Sequence, residues 1–251
     1  MKAKKLGSIE GVTVYFTGEQ FDQSDLDVYL ELLHLAHGYP LGTELEFSAY
    51  SILKALGRNT GSKDHQWLHA VLIRLRGGTV DMTDHKTRYF GGLIEGGFKD
   101  ELTKHYRISI NPKFAALFGY GMWASIDREQ RRALGRDATA KALHAYYSSH
   151  ANPTAHNIET LCEIAGLANS NKRQARATIV KAHEHMKSEN VGFLSGYEVT
   201  DDKIKPDINH TPSQKRAILK KAAQTNKTDR RNQPTLASEL LPRLPTDKST
   251  G

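Results

Sequence analysis

The side chains of this chain that could do chemistry are hydrogen-bond donors, and they gather in two places. One run carries Arg58, Asn59, Lys63, Gln66, His69 and Arg74; the other carries Asn171, Lys172, Arg173, Gln174, Arg176 and Lys181. Arg and Lys bond guanine edges or phosphate, and Asn and Gln bond adenine in bidentate fashion. The chemistry this points to is recognition of nucleic acid. Lys86 and Arg88, at a polar hairpin tip, are further candidates for phosphate or the minor groove.

Bond-making chemistry has no comparable set. There is no G-x-x-x-x-G-K-[ST], and Gly91-Gly92 and Gly96-Gly97 read as loop glycines outside a G-x-G-x-x-G frame. His65 and His69, four residues apart, could clamp zinc, but no third ligand follows at the usual spacing. His183 and His185 cannot share one side of a helix. Cys162 is the sole cysteine, so no internal disulfide can form, and it reads as a small core residue. No Tyr–His–His arrangement suggests a nicking enzyme, and Tyr146-Tyr147 reads as packing. No catalytic residue, metal or cofactor is expected.

Two helices must position the donors. Over Ser62–Leu75, Leu68, Val71, Leu72 and Leu75 fall on one side at about 100° per residue. Lys63, Gln66, His69, Ala70 and Ile73 then point away, with Arg74 at the flank. Over Lys172–Lys187, Ala175, Ile179, Ala182 and Met186 mark the core side. Ser170, Arg173, Gln174, Ala177 and Lys181 face out, with Lys172 and Arg176 nearer the packing face. A basic helix N-terminus runs against the helix dipole, and a phosphate bound there would resolve the conflict.

Around these helices the pattern predicts a strand over 11–16, a helix from Asp22 to Gly38, an extended piece over 45–47 and a helix from Ser48 to Gly57. A Gly-containing turn, the Ser62 helix and a β-hairpin over 79–93 follow, then a strand over 105–110. Helix, tight turn, helix and hairpin is the winged helix-turn-helix order. The second half repeats the plan. Helices are expected at Asp127, over 137–149, from Asn157 to Gly166 and over 172–187, with a second wing over 191–208. The expected fold is α+β: a winged-helix domain over 8–120, another over 121–210, and a basic tail over 211–251 expected to be disordered.

Net charge is +7 and clustered. Residues 1–53 carry 3 Lys or Arg against 8 Asp or Glu, whereas residues 54–92 carry 7 against 3 and residues 211–251 carry 9 against 3. Clustered positive charge suits a polyanionic partner. No apolar run approaches a membrane span, and no apolar stretch follows the basic residues Met1 to Leu6, so a cytoplasmic protein without a secretory signal is expected.

The stretch Tyr15 to Gly61 resembles the TrfA family, replication initiators of broad-host-range plasmids. The matching pieces include Asp22-Gln23-Ser24-Asp25-Leu26-Asp27-Val28, Pro40-Leu41-Gly42-Thr43, Phe47-Ser48-Ala49-Tyr50-Ser51 and Leu53-Lys54-Ala55-Leu56-Gly57-Arg58. Further on, Asn111-Pro112-Lys113, Ala116-Leu117-Phe118-Gly119, Leu134-Gly135-Arg136 and Tyr147-Ser148-Ser149-His150-Ala151 match as well. The resemblance implies a tandem winged-helix fold that binds direct repeats (iterons) at a plasmid origin on double-stranded DNA. It further implies opening of adjacent A·T-rich DNA, cooperation with host DnaA and the DnaB helicase, and exchange between monomer and dimer. A plasmid transcriptional repressor built from the same domains is the alternative.

Overall fold

The computed structural model describes residues 3–9, 12–83, 88–115, 124–212, 214–216 and 218–219. Its architecture is mixed α+β, with two hydrophobic cores, one in each half of the chain.

The first half opens with β1 (Lys4–Ile9) and β2 (Val12–Thr17), then α1 (Gln23–Ala36). Asp22 caps α1: its carboxylate accepts from Ser24 N and Asp25 N, and Asp25 returns a bond to Asp22 N. That reciprocal pair satisfies donors that a helix start leaves open. Next come β3 (Glu44–Ser48), α2 (Ala49–Ala55) capped by Ser48, α3 (Ser62–Gly77), β4 (Thr79–Thr83) and β5 (Arg88–Gly91). The half closes with β6 (Ile94–Lys99), β7 (His105–Ile110) and α4 (Pro112–Ala115). The second half holds α5 (Arg128–Ala133), α6 (Ala138–Ser148), β8 (His156–Asn157), α7 (Ile158–Ile164), α8 (Lys172–Lys187), β9 (Leu194–Thr200) and β10 (Lys203–Ile208). Past residue 211, residues 212, 214–216 and 218–219 are helical; the others of that tail lie outside the described residues.

Strand pairing differs from the sequence expectation in the first half. The hairpin over 79–93 exists as β4–β5, but β4 pairs with β2, giving a four-stranded antiparallel sheet in the order β1-β2-β4-β5. The strand that joins the helices, β3, pairs instead with β7, which pairs with β6. β1 and β6 were not anticipated. The Gly96-Gly97 pair expected in a loop lies inside β6, where a register shift between Ile94 and Gly96 accommodates it.

With that correction the two halves match. The first has helix, strand, helix, helix and hairpin as α1, β3, α2, α3 and β6–β7, with sheet order β3-β7-β6. The second has α6, β8, α7, α8 and β9–β10, with sheet order β8-β10-β9. In each, a short strand between the first two helices pairs with the last strand of the hairpin.

The turn before each long helix is also the same. Gly57 and Gly166 take left-handed φ values of 67° and 73°. Around them Gly57 N bonds Lys54 O and Arg58 N bonds Leu53 O, while Gly166 N bonds Glu163 O and Leu167 N bonds Cys162 O. This is the Schellman closure, which needs a residue without a Cβ penalty.

A candidate nucleic-acid interface

Each long helix presents an outward stripe opposite its core. On α3, Leu68, Val71, Leu72 and Leu75 are buried, and Lys63, Gln66, Ala70, Ile73 and Gly77 are exposed. On α8, Ala175, Ile179, Ala182 and Met186 are buried, and Arg173, Gln174, Ala177 and Lys181 are exposed. The α3 positions include no carboxylate, whereas the α8 face also carries the exposed Glu184, which accepts from the Tyr197 hydroxyl at 2.6 Å.

The remaining candidates are placed less simply. Asn59 is exposed just before α3. Arg58 lies 3.7 Å over the Trp67 ring and bonds Asp64 at 3.2 Å, which fixes the guanidinium beside the start of α3. His69 is half-buried and turned toward β7, its ring 6.0 Å from that of Tyr106. Arg74 faces α1, where it bonds the buried Asp25 at 2.6 Å, so it braces the fold. Arg88 forms a two-point pair with Asp81 in the β1-β2-β4-β5 sheet, away from the hairpin that follows α3 in the β3-β7-β6 sheet. Lys86 lies outside the described residues.

At α8 the Asn171 side-chain oxygen accepts from Arg173 N and Gln174 N, capping the helix. Lys172 pairs with Glu159 at 3.0 Å in full exposure, a contact weak enough for a phosphate to replace. Arg176 bonds Asp202 Oδ1 and Asp201 O, both at 2.8 Å, and so ties the β9–β10 turn to the helix.

Both hairpin turns are acidic. Between β6 and β7 stand Asp100 and Glu101, and Glu101 takes up Lys99 at 2.8 Å and Lys104 at 3.1 Å. Backbone N–H groups of Leu102 and Thr103 hold the Asp100 carboxyl below its ordinary pKa, so it stays ionised. Asp201 and Asp202 form the other turn. Those carboxylates take up the nearby Lys99, Lys104 and Arg176, so the turns offer phosphate little free positive charge and the helix stripes are the surfaces electrostatically better suited to DNA.

A second charged cluster joins the halves. Asp27 on α1 bonds Arg131 at 2.7 Å and Lys141 at 2.6 Å, and Glu31 bonds Arg128 at 2.8 Å. Arg131 is 4% exposed and also bonds Gln23 O, Gln23 Oε1 and Lys141 O. None of these residues stood out in the sequence as functional. The available signal was Asp27 and Glu31 at i, i+4, like charges on one helix face that need cationic partners.

In the second half, several histidine and tyrosine side chains bond one another or the backbone. His183 donates from Nδ1 to Ile179 O at 2.8 Å, so its Nε2 accepts from the buried Tyr147 hydroxyl at 2.9 Å. Tyr146 meets His156 at 3.3 Å and packs on His150, but burial raises its phenol pKa, the opposite of activating a nucleophile. Among the described residues no three His, Cys, Asp or Glu are grouped to hold a metal, and no helix is long and apolar enough to cross a membrane.

No family model matches the chain. In sequence it is 21% identical over 202 residues to the plasmid replication initiator protein TrfA of Escherichia coli, covering 77% of this chain and 51% of that one. It thus spans about half the length of that relative. In fold it is similar to two crystal structures of domains 2 and 3 of RctB, with TM-scores of 0.54 and 0.50. Those matches cover 83% and 85% of this chain and 90% and 92% of the other, each at 12% identity. Identity that low makes this a likeness of fold.

Proposed function

We propose that this chain is a replication initiator that binds direct repeats at a plasmid origin through two winged-helix units, one over about residues 8–120 and one over about 121–210. The observation that carries the reading is the repeated helix–strand–helix–helix–hairpin plan, with an outward stripe of Lys, Arg and Gln side chains on the long helix of each copy. Sequence similarity to a plasmid replication initiator supports it. In such folds the helix after the turn enters the major groove. Lys63 and Gln66 on α3, and Arg173, Gln174 and Lys181 on α8, would meet base edges and phosphates along one repeat. Specific sites of this kind bind at about 10⁻⁸–10⁻¹¹ M.

The proposed activity contains no covalent step. Chains packed on adjacent repeats bend and strain the duplex, and flexible A·T-rich steps yield first. Host DnaA and the DnaB helicase are the proposed partners at the opened DNA, with monomer–dimer exchange setting the amount of active protein.

The test is footprinting of the full chain on the DNA that flanks its own gene, with permanganate probing for unpaired thymines in the presence of DnaA. Protection over a series of direct repeats beside reactive thymines is the expected result. Protection of a single inverted site with no reactive thymine would replace the initiator with a repressor.

A further inference from the structure

The outward stripe of α3 changes character along its length. It begins with donors, Lys63 and Gln66, and continues with Ala70 and Ile73, both exposed, Ile73 to 58%. Across a shallow groove from Ile73, β6 raises Phe98, 77% exposed. The charged side chains lining that groove are Arg76, which is exposed, and Lys99, which Glu101 holds at 2.8 Å. A single exposed apolar side chain is ordinary. Two that share a groove beside the exposed Arg76, on the side of the helix turned from the core, suit a partner that is anionic overall yet offers an apolar group. DNA is such a partner, because the thymine C5 methyl stands in the major groove. The α8 stripe differs: Arg173 and Lys181 stand on it with Gln174 and Ala177 between them, and the exposed Glu184 follows.

We propose that Ile73, flanked by Ala70 and Phe98, reads thymine methyl groups, so that α3 discriminates by apolar contact while α8 contributes mainly charge. The inference rests on the reading of α3 as a helix that enters the major groove. Lys63 and Ile73 are separated by about 15 Å along a helix rising 1.5 Å per residue. The thymine in question therefore lies about four base pairs from the pair that Lys63 meets, at about 3.4 Å per pair.

The experiment selects the preferred duplex of the full chain from a random pool, then measures binding by fluorescence anisotropy. Uracil replaces thymine one position at a time, which removes the methyl and leaves pairing unchanged. One or two replacements are expected to weaken binding about 4- to 10-fold, the worth of one buried methyl. Ile73→Ala is expected to bind the thymine duplex more weakly by a similar factor and to be indifferent to those uracils. Lys181→Ala is expected to weaken both duplexes alike. If no uracil matters, or if Ile73→Ala keeps the whole uracil penalty, the inference is overturned while DNA binding stands. If no duplex is selected, the proposed function fails and the inference with it.

Discussion

Asp27 is the residue on which the relation between the two halves turns. Its carboxylate bonds both Arg131 and Lys141, one oxygen to each, and those side chains are nearly sealed from water. Removing one member of such a set leaves uncompensated buried charge, so Asp27→Ala is expected to lower unfolding free energy by about 3 kcal/mol in a urea titration. A drop under about 1 kcal/mol would show the cluster to be solvated. His144 sets a pH response. It is fully buried against Phe193, and burial, assisted by Arg131, pushes its pKa down to about 4. The folded chain thus keeps it neutral while the unfolded chain takes up a proton as pH falls below about 6.5. Stability is expected to fall between about pH 6.5 and 4, by up to about 3 kcal/mol from this group, with His183 adding in the same direction. His144→Gln should flatten the slope; an unchanged slope would assign the response elsewhere. At this scale the outward donors were legible from helical spacing alone. Arg74, Arg88 and Arg176 were not, because spacing locates a guanidinium without naming the carboxylate that meets it.

The turn ahead of each long helix is the element on which its placement depends. Gly57 and Gly166 hold left-handed conformations at matching places in the two halves. Alanine there is expected to lose about 1 kcal/mol at either position, read as a lower melting temperature, since a Cβ strains that conformation. Equal stability of both variants would mean the closures contribute little. Helix starts were readable for the same local reason: Asp22, Ser48, Asp127, Asp137 and Asn171 each accept from backbone N–H groups within their own first turn. Hairpins were readable as strands but not as partners. Thr79 to Thr83 alternates like any half-buried strand, and nothing local indicates that β2 will claim it. β6 was hidden because its two central residues are glycines, which carry no alternation.

Across the molecule the two stripes are expected to act as one electrostatic surface. The double variant Arg173→Ala, Lys181→Ala should reduce the slope of log affinity against log salt by about 2, if both side chains meet phosphate. Arg74→Ala should leave that slope unchanged and lower stability, because Asp25 would lose its buried partner. A salt slope that falls with Arg74→Ala would put that residue on the DNA. The acidic first segment also acquires a role at this scale: Asp25, Asp27 and Glu31 are absorbed by Arg74, Arg131, Lys141 and Arg128, so charge that looked unfavourable for a DNA-binding chain is turned inward. By itself the sequence determined where helices begin and end, which faces they bury, and that the outer face of the Ser62 helix lacks carboxylates. Capping and periodicity act within a turn or two of chain, so they can be read there. Only the tertiary structure decided which strands share a sheet, which cations are already neutralised, and that both hairpin turns are acidic beside their helices. Those outcomes join residues far apart in sequence, and they follow from which burial and pairing the whole chain satisfies at once.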